Sequence, residues 1–236
     1  MNRPSKWALV TGASKGIGKA TAELLAENGW GVLLVARDAR ALEQNAQAIA
    51  ENGGQARWVA ADLTRAEEVQ KLRHFVQETK VPLRIVVFNA GLARIGNIME
   101  MPVETWRELF ELNVFSQVAV TQALVPLLKT PAHLVFINSV AGQAVFPQWG
   151  AYAASKFALR ALADTLRLEL AEQNIKVTSI FPSSTDTPLH DSLGLDWDRS
   201  KMLKPQDVAK AVWAAVSADE GVLLKEISVE SAKGLF

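Results

Sequence analysis

The 236-residue chain contains no cysteine. Disulfides, thiolate zinc sites, iron–sulfur clusters and cysteine nucleophiles are therefore excluded from its chemistry. Histidine is scarce as well. His74, His133 and His190 stand far apart with no ligand-like spacing, so they read as surface or core residues rather than metal ligands. There is no net charge, because 25 Lys and Arg balance 25 Asp and Glu. Nothing electrostatic points to nucleic acid or to an anionic membrane, although a small anionic ligand needs only a local cluster of charge. No apolar run approaches the roughly 20 residues of a membrane helix. The short apolar run near the N-terminus breaks at once into Gly and polar residues, as a first strand does and a signal peptide does not. A soluble, cytoplasmic protein is expected. Of the residue types present, tyrosine is the rarest: there is one, Tyr152.

What is abundant is aliphatic. Hydrophobic residues make up 49% of the chain, enough for a sizeable core, and the length suits a single domain spanning 1–236. Short runs rich in Val, Ile and Leu recur at 7–10, 30–36, 57–61, 84–88, 133–138, 176–181 and 226–230. Several are continuously apolar rather than alternating, as parallel strands covered on both faces are. Between them lie segments of helical character. The one after Arg37 ends at Gly53-Gly54, and the one after residue 65 is preceded by Asp62 and Thr64, either of which is a candidate cap. Pro102 opens a long helical segment through Leu128 that Pro126 bends or ends, and Pro205 sits where a first-turn proline belongs. Strict alternation of strand and helix predicts a single-domain α/β fold, a Rossmann-like doubly wound parallel sheet of about seven strands with helices on both faces. Ligands are then expected beyond the carboxyl ends of the strands, with the irregular stretch 182–204 forming a loop over the site.

The first strand runs into Thr11-Gly12-Ala13-Ser14-Lys15-Gly16-Ile17-Gly18, and a helical segment follows. Glycine has three uses in such a turn: a sharp reversal, close approach of a pyrophosphate, and tight packing of helix on sheet. Helix N-terminal amides and the helix dipole then favour phosphate. An ordinary Gly-containing turn is the alternative. Its position between a first strand and a helix favours the nucleotide reading.

The spacing Gly-x-x-x-Gly-x-Gly, preceded by Thr, resembles the short-chain dehydrogenase/reductase family, and the resemblance runs through nearly the whole chain. Asp62-Leu63 is similar to the family's adenine-contacting pair, and Asn89-Ala90-Gly91 to the motif that supports sheet and cofactor there. The family's sheet, in order 3-2-1-4-5-6-7, is implied with them. So is a nicotinamide cofactor, with Gly12, Ser14, Lys15, Gly16, Ile17, Gly18, Asp62, Leu63, Asn89, Ala90 and Gly91 on its path. The choice between NAD and NADP(H) rests on the end of the second strand. An acid there accepts from the ribose 2′-hydroxyl and repels a 2′-phosphate, whereas arginine pairs with the phosphate. Ala36 occupies the acid's position and Arg37 follows it, while Lys15 matches a second position where NADP-preferring relatives are basic. NADP(H) is the expectation. The alternatives are a solvated Arg37, with Asp38 either capping the next helix or reaching the ribose to favour NAD.

Tyr152 and Lys156 fall in a strongly helical stretch, and four residues apart on a helix puts both on one face. A phenol titrates near pH 10, too high for proton exchange at neutrality. A neighbouring ammonium, helped by the positive nicotinamide ring, is expected to draw it toward working pH. The spacing alone is weak evidence, since a Tyr–Lys pair is as easily a surface contact. Its surroundings carry more. Ser139 ends the fifth strand, and Asn113 is a polar residue in an apolar helix, which makes it a packing group or a site component. Family members use an Asn-Ser-Tyr-Lys tetrad in this order, matched by Asn113, Ser139, Tyr152 and Lys156. The resemblance implies that Tyr152 is acid in reduction and base in oxidation. It gives Ser139 the substrate oxygen, Lys156 the nicotinamide ribose, and Asn113 a water on the proton path. Pro182, Thr185 and Thr187 fit a further nicotinamide-contacting segment. There Ser183 replaces a usual glycine, and serine tolerates positive φ poorly.

A reversible carbonyl/alcohol oxidoreductase is therefore expected, acting on a small-molecule carbonyl or alcohol. The alternatives are a non-catalytic NADP(H) sensor or scaffold, and a sugar-nucleotide epimerase or dehydratase. Leu92, Val140, Ala141, Phe146, Trp149, Leu189 and Leu193 are candidates for an apolar substrate pocket, with oligomer packing the other reading for Trp149. Small ketones, quinones, steroids and acyl-carrier thioesters all stay open as substrates. Relatives are commonly tetramers or dimers, so a homo-oligomer is expected too.

Overall fold

A computed structural model of the chain describes residues 4–191, 193, 194 and 196–234. Seven strands form one sheet: β1 (Trp7–Thr11), β2 (Gly31–Ala36), β3 (Gln55–Ala60), β4 (Leu83–Phe88), β5 (Ala132–Ile137), β6 (Ile175–Pro182) and β7 (Glu226–Val229). Their order is β3-β2-β1-β4-β5-β6-β7 and every pairing is parallel. The expected fold class and strand order are both observed.

The apolar runs are continuous because each strand is covered twice. Side chains alternate across a strand, so neighbours point to opposite faces. Leu9, Leu33, Val86, Phe88, Leu134 and Phe136 pack on one face against α3 (Ala66–Thr79), α5 (Ser116–Leu124) and α6 (Gly150–Glu169). Val10, Leu34, Val87, Val135 and Ile137 pack on the other against α1 (Gly16–Glu27), α2 (Ala39–Glu51) and α8 (Pro205–Ser217). Phe88 and Phe136 stack at 4.3 Å between ring centroids on adjacent strands. Parallel strands bring all their carboxyl ends to one edge, and that edge positions the site.

Two expectations about helices need correction. The segment opened by Pro102 is not one regular helix. It runs as α4 (Val103–Phe110), a π-helical turn (Glu111–Phe115), α5 and a 3₁₀ turn (Val125–Leu127) that holds Pro126. In the wide π turn the Leu112 carbonyl accepts from Ser116 Oγ at 2.6 Å and Gln117 Nε2 at 2.8 Å. Neither Asp62 nor Thr64 caps α3, which starts after Arg65. Asp62 instead closes a local turn, accepting from the Thr64 amide at 3.1 Å and hydroxyl at 2.8 Å. α7 (Pro188–Asp191) and a 3₁₀ turn (Arg199–Lys201) lie in the stretch 182–204, of which Ser192 and Leu195 fall outside the described residues. No helix among the described residues is long and apolar enough to cross a membrane.

Candidate active site

The residues that follow β1, β2, β3, β4, β5 and β6 converge on one cleft of about 1070 Å³. All the residues expected on the cofactor path line it except Gly18, which supports the turn from behind. Gly12 and Gly16 have φ of +65° and +55°, the left-handed region that favours glycine. A Cβ on Gly12 would lie 2.7 Å from Asn89 Nδ2, and one on Gly18 would fall on the Gly12 carbonyl oxygen. One glycine thus makes the reversal and another lets α1 close onto it.

Polar residues with distant partners hold this turn, and sequence reading missed two of them. The Thr11 hydroxyl accepts from the Asn89 and Ala90 amides, both at 3.0 Å, which locks the end of β1 to the end of β4. Asn89 Nδ2 donates to the carbonyls of Thr11 at 2.9 Å and Gly12 at 3.2 Å. Buried Asn45, on α2, donates to the carbonyls of Ala13 and Ser14, both at 3.0 Å. Lys15 and Arg37 line the same end of the cleft, and neither enters an ion pair among the described residues. Asp38 caps α2 through a 3.1 Å bond from the Ala41 amide. Burial raises the Asp62 carboxyl, but bonds from Thr64 and the charges of Arg37 and Arg65 outweigh it, so the net shift is downward.

At the other end of the cleft stand Ser139, Tyr152 and Lys156. Ser139 caps a 3₁₀ turn (Val140–Gly142), its Oγ accepting from the Ala141 amide at 3.1 Å, and it also hydrogen-bonds Tyr152. Lys156 lies one turn of α6 beyond Tyr152, its Nζ 5.7 Å from the phenol ring centroid, and donates to the Ile137 carbonyl at 3.1 Å. Tyr152 is 7% exposed and Lys156 6%. That burial decides their titration. It pushes the Tyr152 phenol up to about 12, against a smaller opposing effect of the Ser139 bond, and the Lys156 ammonium down to about 8. The expected lowering of the phenol by the ammonium is therefore not what the protein groups alone produce, because desolvation disfavours both charged forms.

Asn113 lies in the π turn, buried, and does not line the cleft. Its Oδ1 accepts from the Leu92 amide, and its Nδ2 donates to the Leu92 carbonyl, both at 2.9 Å, and to Ser155 Oγ at 3.0 Å. Ser155, which sequence reading also missed, donates to the Tyr152 carbonyl at 2.7 Å. Asn113 thus braces the tyrosine turn from behind. Pro182, Thr185 and Thr187 line the cleft, and a Cβ on Gly16 would sit 3.3 Å from Thr187 Cγ2. Ser183 keeps an ordinary φ. Among the described residues the left-handed non-glycines are Lys80, Gln148 and Asn174, so serine is unstrained here. Its amide donates to the Val229 carbonyl at 2.9 Å and its Oγ accepts from the Ser231 amide at 3.3 Å. All seven apolar pocket candidates line the cleft. Trp149 meets Tyr152 edge-on at 5.5 Å.

With this geometry in view, a family model described as short chain dehydrogenase matches residues 6–197. The chain belongs to the short chain dehydrogenase family. It is 35% identical over 233 residues to an uncharacterized oxidoreductase of Staphylococcus saprophyticus, covering 95% of this chain and 96% of the relative. Among solved structures it is similar to an alcohol dehydrogenase of the archaeon Thermococcus sibiricus complexed with 5-hydroxy-NADP. The TM-score is 0.90 and the identity 29%, over 97% of each chain. A short chain dehydrogenase of Shigella flexneri 2a complexed with NADP superposes with a TM-score of 0.87 at 32% identity, over 94% of this chain and 96% of the other. The protein is an oxidoreductase of this family.

Proposed function

We propose that the protein is an NADP(H)-dependent oxidoreductase acting on a carbonyl/secondary-alcohol pair, working mainly as a reductase. The residues fit the cofactor. The turn has no room for side chains at Gly12 and Gly18, and the cleft is long enough to join the turn to Tyr152. Lys15 and Arg37 supply two cations free of ion pairs where a 2′-phosphate would lie. The cofactor, when bound, supplies the hydride that reaches the carbonyl carbon. The chain's own residues manage the oxygen. Tyr152 gives its phenolic proton to that oxygen, and Ser139 donates a hydrogen bond to the charge developing on it. Lys156, on the same helical face, holds the nicotinamide ribose. Asn113 and Ser155 fix the turn that carries Tyr152.

One observation carries the reading: Tyr152, hydrogen-bonded to Ser139, stands in one cleft with Lys156 and the glycine turn, and burial keeps its phenol protonated at neutral pH. The test follows NADPH absorbance with a panel of ketones and aldehydes. Turnover is expected, and Tyr152→Phe should abolish it while leaving NADPH affinity within about twofold, since the lost group acts in the transition state. Tight NADPH binding with no turnover on any carbonyl would overturn the reading in favour of a sensor.

A further inference from the structure

Beside Tyr152 an aromatic wall continues into the loop over the cleft. Trp149 meets Tyr152, Trp197 lies 6.0 Å from Trp149, and His190 lies 4.8 Å from Trp197, with tilts of 64°, 32° and 53° between successive rings. All four rings line the cleft. His190 is 6% exposed, and its Nε2 has no hydrogen-bond partner among the described residues. Burial, with Arg199 beside it, holds its pKa below the ordinary imidazole value, so at neutral pH it is a neutral hydrogen-bonding group. An unpaired buried nitrogen is an unusual thing to keep in a core. That nitrogen is covered in this structure, so a ligand oxygen reaches it only as the ring shifts within the cleft wall.

Charge narrows the ligand further. Of the cations lining the cleft, Lys15 and Arg37 stand at the glycine turn and Lys156 is buried under Tyr152. The remaining one, Arg94, is exposed, and the carboxylates of Glu108 and Glu111 line the same cleft. Apart from Lys156, which is held on the Ile137 carbonyl, no buried cation among the described residues lines the substrate end, so an anionic substrate such as a phosphate-bearing thioester gains little there.

We propose that the substrate is an uncharged ketone on a flat ring system, bearing a hydroxyl or second carbonyl oxygen that hydrogen-bonds His190, with Trp149 and Trp197 contacting the ring. The assignment rests on the reading of Tyr152 as the acid, since that fixes which end of the wall the reacting carbonyl meets. Flat rings stack on or against indoles more favourably than aliphatic chains do. The neutral imidazole rewards an oxygen substituent that a bare hydrocarbon ring lacks.

The test separates binding from turnover. Tetralone, a hydroxytetralone with its hydroxyl on the aromatic ring and butanone are titrated calorimetrically into protein loaded with oxidised NADP, where neither a ketone nor a phenol can react. Hydroxytetralone should bind at least about tenfold more tightly than butanone. Trp197→Ala should remove most of that margin, Trp197→Phe should retain it, and His190→Phe should erase the preference for hydroxytetralone over tetralone. The affinity of each variant for NADP, measured alongside, reports whether the site is intact. Equal binding of butanone and the ring ketones, or a margin that survives Trp197→Ala, would overturn the proposal even if butanone is reduced in the NADPH assay. A margin that depends on Trp197, with no ketone reduced, would uphold the recognition of a ring by the aromatic wall and overturn the reading of Tyr152 and of the ketone as substrate.

Discussion

Arg37 shows what a single residue decides. It follows Ala36 at the end of β2, lines the cleft, and enters no ion pair among the described residues, so its charge is available to a ligand. Neighbouring Asp38 caps α2 through Oδ1, the first of the two readings of that carboxylate. Arg37→Asp should therefore shift the ratio of kcat/KM for NADPH over NADH by about 10- to 100-fold toward NADH, the loss of a charge-assisted pair plus a new repulsion. Initial rates with both cofactors check it, and a wild type that already prefers NADH would refute the assignment. Arg37, Lys15 and the glycines were legible because their meaning is local: each follows a strand at a short, fixed distance. Thr11, Asn45 and Ser155 were not. Their partners lie in other elements, and nothing in the chain near a threonine or asparagine says which distant carbonyl it will meet. The titration of Tyr152 was illegible for a related reason. Helical spacing gives the distance to Lys156 but says nothing of burial, and burial is the larger effect.

Elements carry the same lesson one level up. The strands were readable from their unbroken apolar runs, and the long helix was readable as helix. Its π turn was not, because widening one turn leaves no mark in hydrophobic periodicity. That turn places Asn113 against Leu92 and Ser155. α2 makes a comparable contribution at the nucleotide end, where buried Asn45 reaches the two carbonyls of the glycine turn. Asn45→Leu keeps the shape and removes both donors, leaving two partly buried carbonyls unsatisfied at about 1–3 kcal/mol. NADPH affinity should fall by about tenfold or more, with kcat at saturating cofactor changed by less than about twofold. Calorimetry and steady-state kinetics together check the split; unchanged affinity would show that the turn holds its shape without α2.

At the scale of the whole molecule the sheet has two ends with opposite tasks. The carboxyl edge carries the cleft. Near the amino edge, His133 on β5 is buried and its Nε2 lies 2.8 Å from Thr178 Oγ1, which donates onward to the Leu224 carbonyl at 2.7 Å. Burial, with a further push from Lys176, holds its pKa down at about 4 against an ordinary 6.5. The sign follows. Between those values the unfolded chain binds a proton that the folded one refuses. This contribution to stability is thus complete above pH 6.5 and is lost as pH falls toward 4. The slope from this one group is at most about 1.4 kcal/mol per pH unit. His133→Gln, which can still donate to Thr178, should flatten the fall in urea-unfolding free energy between pH 7 and pH 5. A wild type no less stable at pH 5 than at pH 7 would contradict it.

The same chain also carries a single phenol among seven indoles, and that phenol lines the cleft. Phenolate absorbance measured on the entire protein is therefore a signal from one atom of the active site. A spectrophotometric titration should show no phenolate until strongly alkaline pH. Repeated with oxidised cofactor bound, it would read directly how far the ligand's positive ring draws the proton off Tyr152. The enzyme contains its own indicator dye.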